Sequence, residues 1–91
     1  MALEPLYFIS TVSSDGSLNL FCYHSALNQL EFLRSSTIAN QSCLSIKHIV
    51  VNSHHLLLIG DTQGHLTTLD VSKDLTHFYQ QCIFVSIQST D

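Results

Sequence analysis

The chain of 91 residues carries three Lys or Arg residues against seven Asp or Glu residues, and 45% of its residues are hydrophobic while only 11% are charged. Because Arg34, Lys47 and Lys73 do not cluster, direct nucleic-acid binding is not expected. The start, Met-Ala-Leu-Glu-Pro, is not that of a secretory signal, and no apolar stretch approaches the ~18 residues of a membrane span. We therefore expect a cytoplasmic protein with no membrane contact.

The low fraction of charged residues also predicts that much of the surface meets other protein surfaces. Three cysteines, Cys22, Cys43 and Cys82, are odd in number and lack a Cys-x-x-Cys spacing. This pattern favours buried reduced thiols over a disulfide framework or a zinc site.

The first predicted elements are two strands, Leu6–Val12 and Ser17–Tyr23, joined by the turn Ser-Ser-Asp-Gly. Gly16 supplies the positive φ that such a turn needs, and the Asp15 side chain can accept hydrogen bonds from nearby backbone N–H groups. This segment is therefore a predicted hairpin. The next segment, Leu27–Arg34, has apolar spacing that fits a helix about as well as a short strand.

Four further strands are predicted in the second half of the chain. The segment His55–Ile59 is continuously apolar after its first residue, which indicates a strand buried on both faces. A turn over residues 60–64 follows it. The four predicted strands are Cys43–Val51, His55–Ile59, His65–Val71 and Phe78–Ile87.

The predicted strands on either side of the turn over residues 60–64 form a second hairpin, and it resembles the first. Aligning "SDGSLNLFCY" (14–23) with "TQGHLTTLDV" (62–71) superimposes Gly16 on Gly64 and Leu18 on Leu66, an offset of 48 residues. Self-similarity at such a period is typical of repeat architectures.

The segments "STVSSDGSLNLFCY" and "LLIGDTQGHLTTLDV" resemble the hairpin between the second and third strands of WD-repeat β-propellers. Residues 40–71 are similar to nearly a whole repeat. The sequence departs from the family pattern because Phe21 and Leu69 replace the signature Trp, and Asp follows only in the second copy, as Asp70. The family's buried hydrogen-bond network is therefore incomplete, with only Asp15 in a matching place, and hydrophobic packing has to hold the repeats.

The resemblance implies an all-β fold of antiparallel four-stranded propeller blades. The whole chain, residues 1–91, is then an incomplete propeller of about two blades, one over residues 6–34 and one over residues 42–87. Because a closed ring needs more strands, we expect the chain to be a segment of a larger protein.

The resemblance further implies a non-catalytic scaffold for protein–protein interaction, with no cofactor, metal ion or small-molecule ligand. A narrower likeness, to the WD-repeat subunits that partner tRNA ribose methyltransferases, suggests a regulatory partner of a tRNA 2'-O-methyltransferase. In antiparallel blades, alternate loops open on the same rim. The residues predicted to bind a protein partner on that rim are Ser14, Asp15, Thr37, Asn40, Asp61 and Gln63.

An alternative is a small metal-binding or enzymatic β domain that uses its six histidines. His54 and His55 are adjacent, and adjacent strand residues point to opposite faces, so the two cannot easily share a metal ion. The sequence contains no Gly-x-Ser-x-Gly elbow and no phosphate-binding Gly-Lys-Ser/Thr motif. No catalytic residue is therefore assigned.

Overall fold

The structure of the protein, a computed structural model, describes residues 5–38, 43–75 and 82–88. It confirms an all-β chain. The strands are β1 (Leu6–Val12), β2 (Ser17–His24), β3 (Gln29–Thr37), β4 (Cys43–Val51), β5 (His54–Asp61), β6 (Leu66–Asp70) and β7 (Cys82–Gln88).

A single turn of 3₁₀ helix, Ser72–Leu75, follows β6. Among the described residues there is no helix with the length and apolar character that a membrane crossing requires.

The strands form two sheets. The first sheet has the order β3-β2-β1-β7 and the second has the order β4-β5-β6. All neighbouring strands are antiparallel except β1 and β7, which are parallel, with Phe8 opposite Phe84. The antiparallel character predicted for the sheets is confirmed with this one exception, and the arrangement as propeller blades stays a prediction.

The place of the last strand corrects the sequence-based expectation. The second blade, residues 42–87, was expected to use this strand as its fourth, but β7 joins the first sheet beside β1. The side chain of Phe84 accounts for this position. Its ring stacks on His48 of the second sheet, with centroids 3.8 Å apart, and lies 5.8 Å from the ring of Phe8 in the first. Strand β7 therefore gains aromatic contacts with both sheets.

The third segment is a strand, which resolves the ambiguity between helix and strand. Phe32 lies opposite Phe21, and the two rings meet edge to face at 5.6 Å. A bulge in the pairing between Leu20 and Phe21 lets Arg34 lie opposite Leu20. A helix over this segment would lose the aromatic pair and leave the edge of β2 unpaired.

The hydrophobic core lies between the two facing sheets. The first sheet contributes Phe8, Val12, Leu18 and Leu20, and the second contributes Leu57 and Ile59, with Val71 following β6; all are at most 2% exposed. Only one side of β5 is buried, because Leu56 and Leu58 on its other side remain half-buried. The prediction that β5 is covered on both faces was therefore wrong for this chain.

Candidate functional site

The turn between β1 and β2 is closed by backbone hydrogen bonds. The Gly16 N–H donates to the Ser13 carbonyl (3.1 Å), and the Ser13 N–H donates to the Ser17 carbonyl (3.1 Å). Gly16 has a φ of 82°, which favours glycine because a Cβ is strained there. The turn therefore has the positive-φ geometry that the sequence predicted.

Asp15 fixes the same turn with its side chain. Its Oδ1 accepts from Ser13 Oγ (2.5 Å), Ser17 Oγ (2.6 Å) and the Ser17 N–H (3.0 Å). These bonds, led by the one from the Ser13 hydroxyl, lower the pKa of Asp15 to about 2. The carboxylate is exposed and ionised, so this turn presents a fixed negative charge to solvent.

The turn between β5 and β6 repeats this geometry 48 residues later. The Gly64 N–H donates to the Asp61 carbonyl (3.2 Å), and the Asp61 N–H donates to the His65 carbonyl (3.1 Å). Gly64 also has a φ of 82°. The two turns therefore match bond for bond, with Asp61 in the place of Ser13 and His65 in the place of Ser17.

Asp61 has a different environment from Asp15. Its side chain is only 6% exposed. Its Oδ1 accepts from the N–H groups of Gln63 and His65, both at 2.9 Å, and its Oδ2 lies 3.1 Å from Nδ1 of His65. Burial raises the pKa of this carboxyl, but the hydrogen bonds from His65 and Gln63 outweigh burial and the net shift is downward. The Asp61 carboxylate therefore shapes its own turn, in which residues 62–65, including Gln63, are exposed.

The structure brings the predicted binding residues to two neighbouring strand ends. Ser14, Asp15 and Thr37 lie at one end of the first sheet, because Thr37 is opposite Ser17 and the next N–H, of Ile38, donates to the Gly16 carbonyl (3.0 Å). Asp61 and Gln63 lie at the end of the second sheet where Cys43 is opposite Asp61. Residues 39–42 connect these ends, which limits their separation to about 18 Å. Asn40 lies outside the described residues.

The opposite end of the second sheet holds a cleft that the sequence did not single out as a site. It is open, has a volume of about 420 Å³ and is lined by His54, Asp70, Ser72 and Lys73. His54 Nδ1 lies 3.0 Å from Asp70 Oδ2, and the Ser72 N–H donates to Asp70 Oδ1 (2.8 Å). Hydrogen bonds from Ser72 and His54 lower the pKa of Asp70. Alternation along a strand predicts from the sequence that His54 points to the side opposite His55. It does not predict that His54 contacts Asp70.

His54 and His55 point to opposite sides of β5, as the sequence predicted. His54 contacts Asp70, whereas Nδ1 of His55 lies 3.0 Å from Nε2 of His48. The imidazoles of His48 and His55 are nearly parallel and stack on Phe84 between the two sheets. Burial, followed by the charge of His55, lowers the pKa of His48. Among residues 5–38, 43–75 and 82–88, no three His, Cys, Asp or Glu side chains converge as a metal site would require.

Cys22 and Cys82 also face the interior. Cys22 is fully buried and Cys82 is half-buried. Burial, with smaller contributions from Cys82 and Glu31, raises the pKa of the Cys22 thiol to about 11. Burial also raises the pKa of Cys82. A raised pKa suits a structural thiol and opposes use as a nucleophile.

The fold and the site define an all-β protein built from two facing sheets with matched turns at neighbouring ends. No protein-family model, curated protein or solved structure matches the chain.

Proposed function

We propose that the chain is a β-repeat module that acts as a non-catalytic scaffold for protein–protein interaction. The observation that supports this most directly is the equivalence of the two hairpin turns. The turns after β1 and β5 share both backbone hydrogen bonds and the glycine φ of 82° at a spacing of 48 residues. Repeat architectures bind partners through loops that a rigid set of strands holds in place.

The proposed binding surface is the end of the sheets that carries Ser14, Asp15, Thr37 and Gln63, which are all exposed. Asp15 adds a negative charge that persists at low pH, because three hydrogen bonds stabilise its ionised form. Backbone hydrogen bonds hold both turns, so a partner meets a surface that needs little ordering on binding. The partner that suits it is a protein segment with basic or hydrogen-bond-donating side chains.

The resemblance to WD-repeat subunits directs the first test to a tRNA 2'-O-methyltransferase, with the complex acting in the cytoplasm. Binding of the purified chain to that enzyme is measured by isothermal titration calorimetry. Ser14→Arg and Gln63→Arg place a bulky positive charge on the proposed surface and leave in place the backbone N–H groups of Ser13, Gly16, Asp61 and Gly64 that close the two turns. We expect each to weaken binding at least about tenfold, since rejecting a charged contact costs more than 1.4 kcal/mol.

Ser53→Arg is the matched control, because Ser53 is an exposed turn residue between β4 and β5, at the opposite end of the second sheet. It is expected to bind like the unmodified chain. Equal binding by all three variants would exclude the proposed surface, and the absence of any binding by the unmodified chain would exclude the methyltransferase.

A further inference from the structure

The two sheets contact each other through sides that are not equivalent in the repeat. The buried side of the first sheet includes Phe8 and Leu18. Their counterparts 48 residues later, Leu56 and Leu66, lie on the outer side of the second sheet, where Leu66 is 70% exposed.

The converse holds for the buried side of the second sheet. Leu57 and Ile59 are buried, and their counterparts 48 residues earlier, Ile9 and Thr11, lie on the outer side of the first sheet. The contact inside the chain is therefore head-to-tail. The side of the first sheet that carries Phe8 and Leu18 packs against the side of the second sheet that carries Leu57 and Ile59, and these two sides are not equivalent in the repeat.

Each sheet also has an outer side. In the repeat, the outer side of the first sheet is equivalent to the buried side of the second, and the outer side of the second sheet is equivalent to the buried side of the first. The outer side of the first sheet is aromatic and aliphatic, and its described residues carry no charged group. It includes Tyr7, Ile9, Phe21, Tyr23, Leu30, Phe32, Ile83, Val85 and Ile87. Leu30 and Phe32 are 61% and 57% exposed. Monomeric proteins rarely expose so continuous an apolar patch.

The outer side of the second sheet is aliphatic at its centre. Leu56 and Leu58 are half-buried, and Leu66 is exposed beside them. Its described charged or titratable residues, Lys47, His54 and Asp70, lie on the edge strands or at a strand end. This side is the repeat counterpart of the one that carries Phe8, Leu18 and Leu20 in the first sheet.

We infer that the outer side of the second sheet binds the outer side of the first sheet of a second copy of this chain. The inference rests on the proposed repeat architecture. It identifies a second copy of the chain as the partner that covers the outer sides of the two sheets. The chain already makes this type of contact internally, between its own buried sides, so a second copy supplies both matching surfaces. Such a contact is heterologous, and it extends to rings or open chains of copies depending on the rotation between neighbours.

Two single substitutions test the two sides separately. Leu66→Lys puts a charge on the outer side of the second sheet, at the exposed start of β6, and Thr11→Lys puts one on the outer side of the first. The mass of each purified chain is measured by sedimentation velocity over roughly a hundredfold range of concentration. We expect the unmodified chain to grow in mass with concentration and each variant to remain a monomer.

An equimolar mixture of the two variants then distinguishes a heterologous contact from a symmetric one. The Leu66→Lys chain retains an intact first-sheet side, and the Thr11→Lys chain retains an intact second-sheet side, so the mixture is expected to form a dimer of one copy of each. A symmetric contact predicts instead that at least one variant associates with itself and that mixing adds nothing.

Leu27→Lys is the control, because Leu27 is 66% exposed in the turn between β2 and β3 and lies outside both sides. Circular dichroism and urea unfolding verify that every variant is folded, and Phe32→Lys replaces Thr11→Lys if the latter is not. A monomeric unmodified chain, or a mixture that stays monomeric, overturns the inference. Ser14→Arg is expected to associate normally, so failure of partner binding and failure of self-association are separate results.

Discussion

Leu18 and Leu66 occupy equivalent positions, each two residues after the positive-φ glycine of its hairpin, yet Leu18 is 1% exposed and Leu66 is 70% exposed. The local sequences and turn geometries are alike, so the difference comes from what lies against each strand. The second sheet covers Leu18, and none of the described residues of the chain covers Leu66 to a comparable extent.

Alanine substitution at these two positions is expected to have very different effects on stability. Leu18→Ala removes buried methyl groups and leaves a cavity, so the free energy of unfolding should fall by about 2–5 kcal/mol. Leu66→Ala removes a side chain that is already in water, so the change should stay within about 0.5 kcal/mol. Urea unfolding at low protein concentration, where self-association is negligible, measures both. Equal losses would contradict the position of the core.

The positive φ of Gly64 predicts a conformational cost that does not depend on space. A Cβ at Gly64 would meet no atom within 4 Å, so Gly64→Ala tests backbone strain alone. We expect it to lower the free energy of unfolding by about 1 kcal/mol, and we expect Gly64→Asn to cost less because Asn tolerates this conformation. Thermal unfolding of the two variants compares them. An alanine variant as stable as the unmodified chain would mean that the turn adopts another geometry.

The ion pair between Arg34 and Asp74 joins the edge of the first sheet to the 3₁₀ helix after β6. Arg34 Nε donates to Asp74 Oδ1 (2.8 Å) and its terminal nitrogen donates to Oδ2 (3.0 Å). The Arg34 side chain is 39% exposed, so solvent screens the attraction. A double-mutant cycle with Arg34→Gln and Asp74→Asn should give a coupling energy of about 1 kcal/mol, decreasing with added salt.

A coupling energy near zero at low salt would show that the two groups do not hold the sheet edge to the helix. Lys47→Gln is a suitable comparison, because Lys47 is exposed on the outer side of β4. It should leave the free energy of unfolding nearly unchanged.

The His48 imidazole predicts a loss of stability in mild acid. Burial lowers its pKa from the ordinary value of 6.5, so between 6.5 and the lower folded value the unfolded chain binds more protons than the folded one. Stability contributed by the neutral His48 is therefore present above pH 6.5 and is lost as the pH falls through the folded pKa. The aspartates add a separate loss below pH 3.8, because Asp15, Asp61 and Asp70 all have lowered pKa values.

Urea unfolding midpoints measured from pH 5 to pH 8 test the histidine contribution. His48→Phe keeps a ring against Phe84 but removes the titrating group, so its midpoint should change less over this range. The titratable residue in contact with His48 is His55 on the neighbouring strand β5, with its Nδ1 3.0 Å from His48 Nε2. If the pH dependence of the His48→Phe variant were unchanged, another titrating group would be the cause of the loss of stability in mild acid.

The sequence by itself predicted both hairpin turns and the strands other than β3, whose segment Leu27–Arg34 fitted a helix about as well as a strand. A high content of apolar, β-branched and aromatic residues predicted β1 and β4 with the bounds that the structure has, and the turn residues marked Gly16 and Gly64 as positions of positive φ, because these signals are local and act within a few residues. The same local signals placed Ser14, Asp15, Gln63 and the buried Asp61 in turns at strand ends.

Tertiary structure alone decided where β7 lies, which sides of the sheets are buried and how the histidines pair. Strand β7 pairs with β1, and its Phe84 contacts Phe8 of β1 and stacks on His48 and His55 of the second sheet, all residues more than 28 positions away. Leu18 and Leu66 have similar local sequences, so no local pattern can tell which of them a second sheet will cover. Burial depends on packing between distant segments, and that packing is a property of the whole fold.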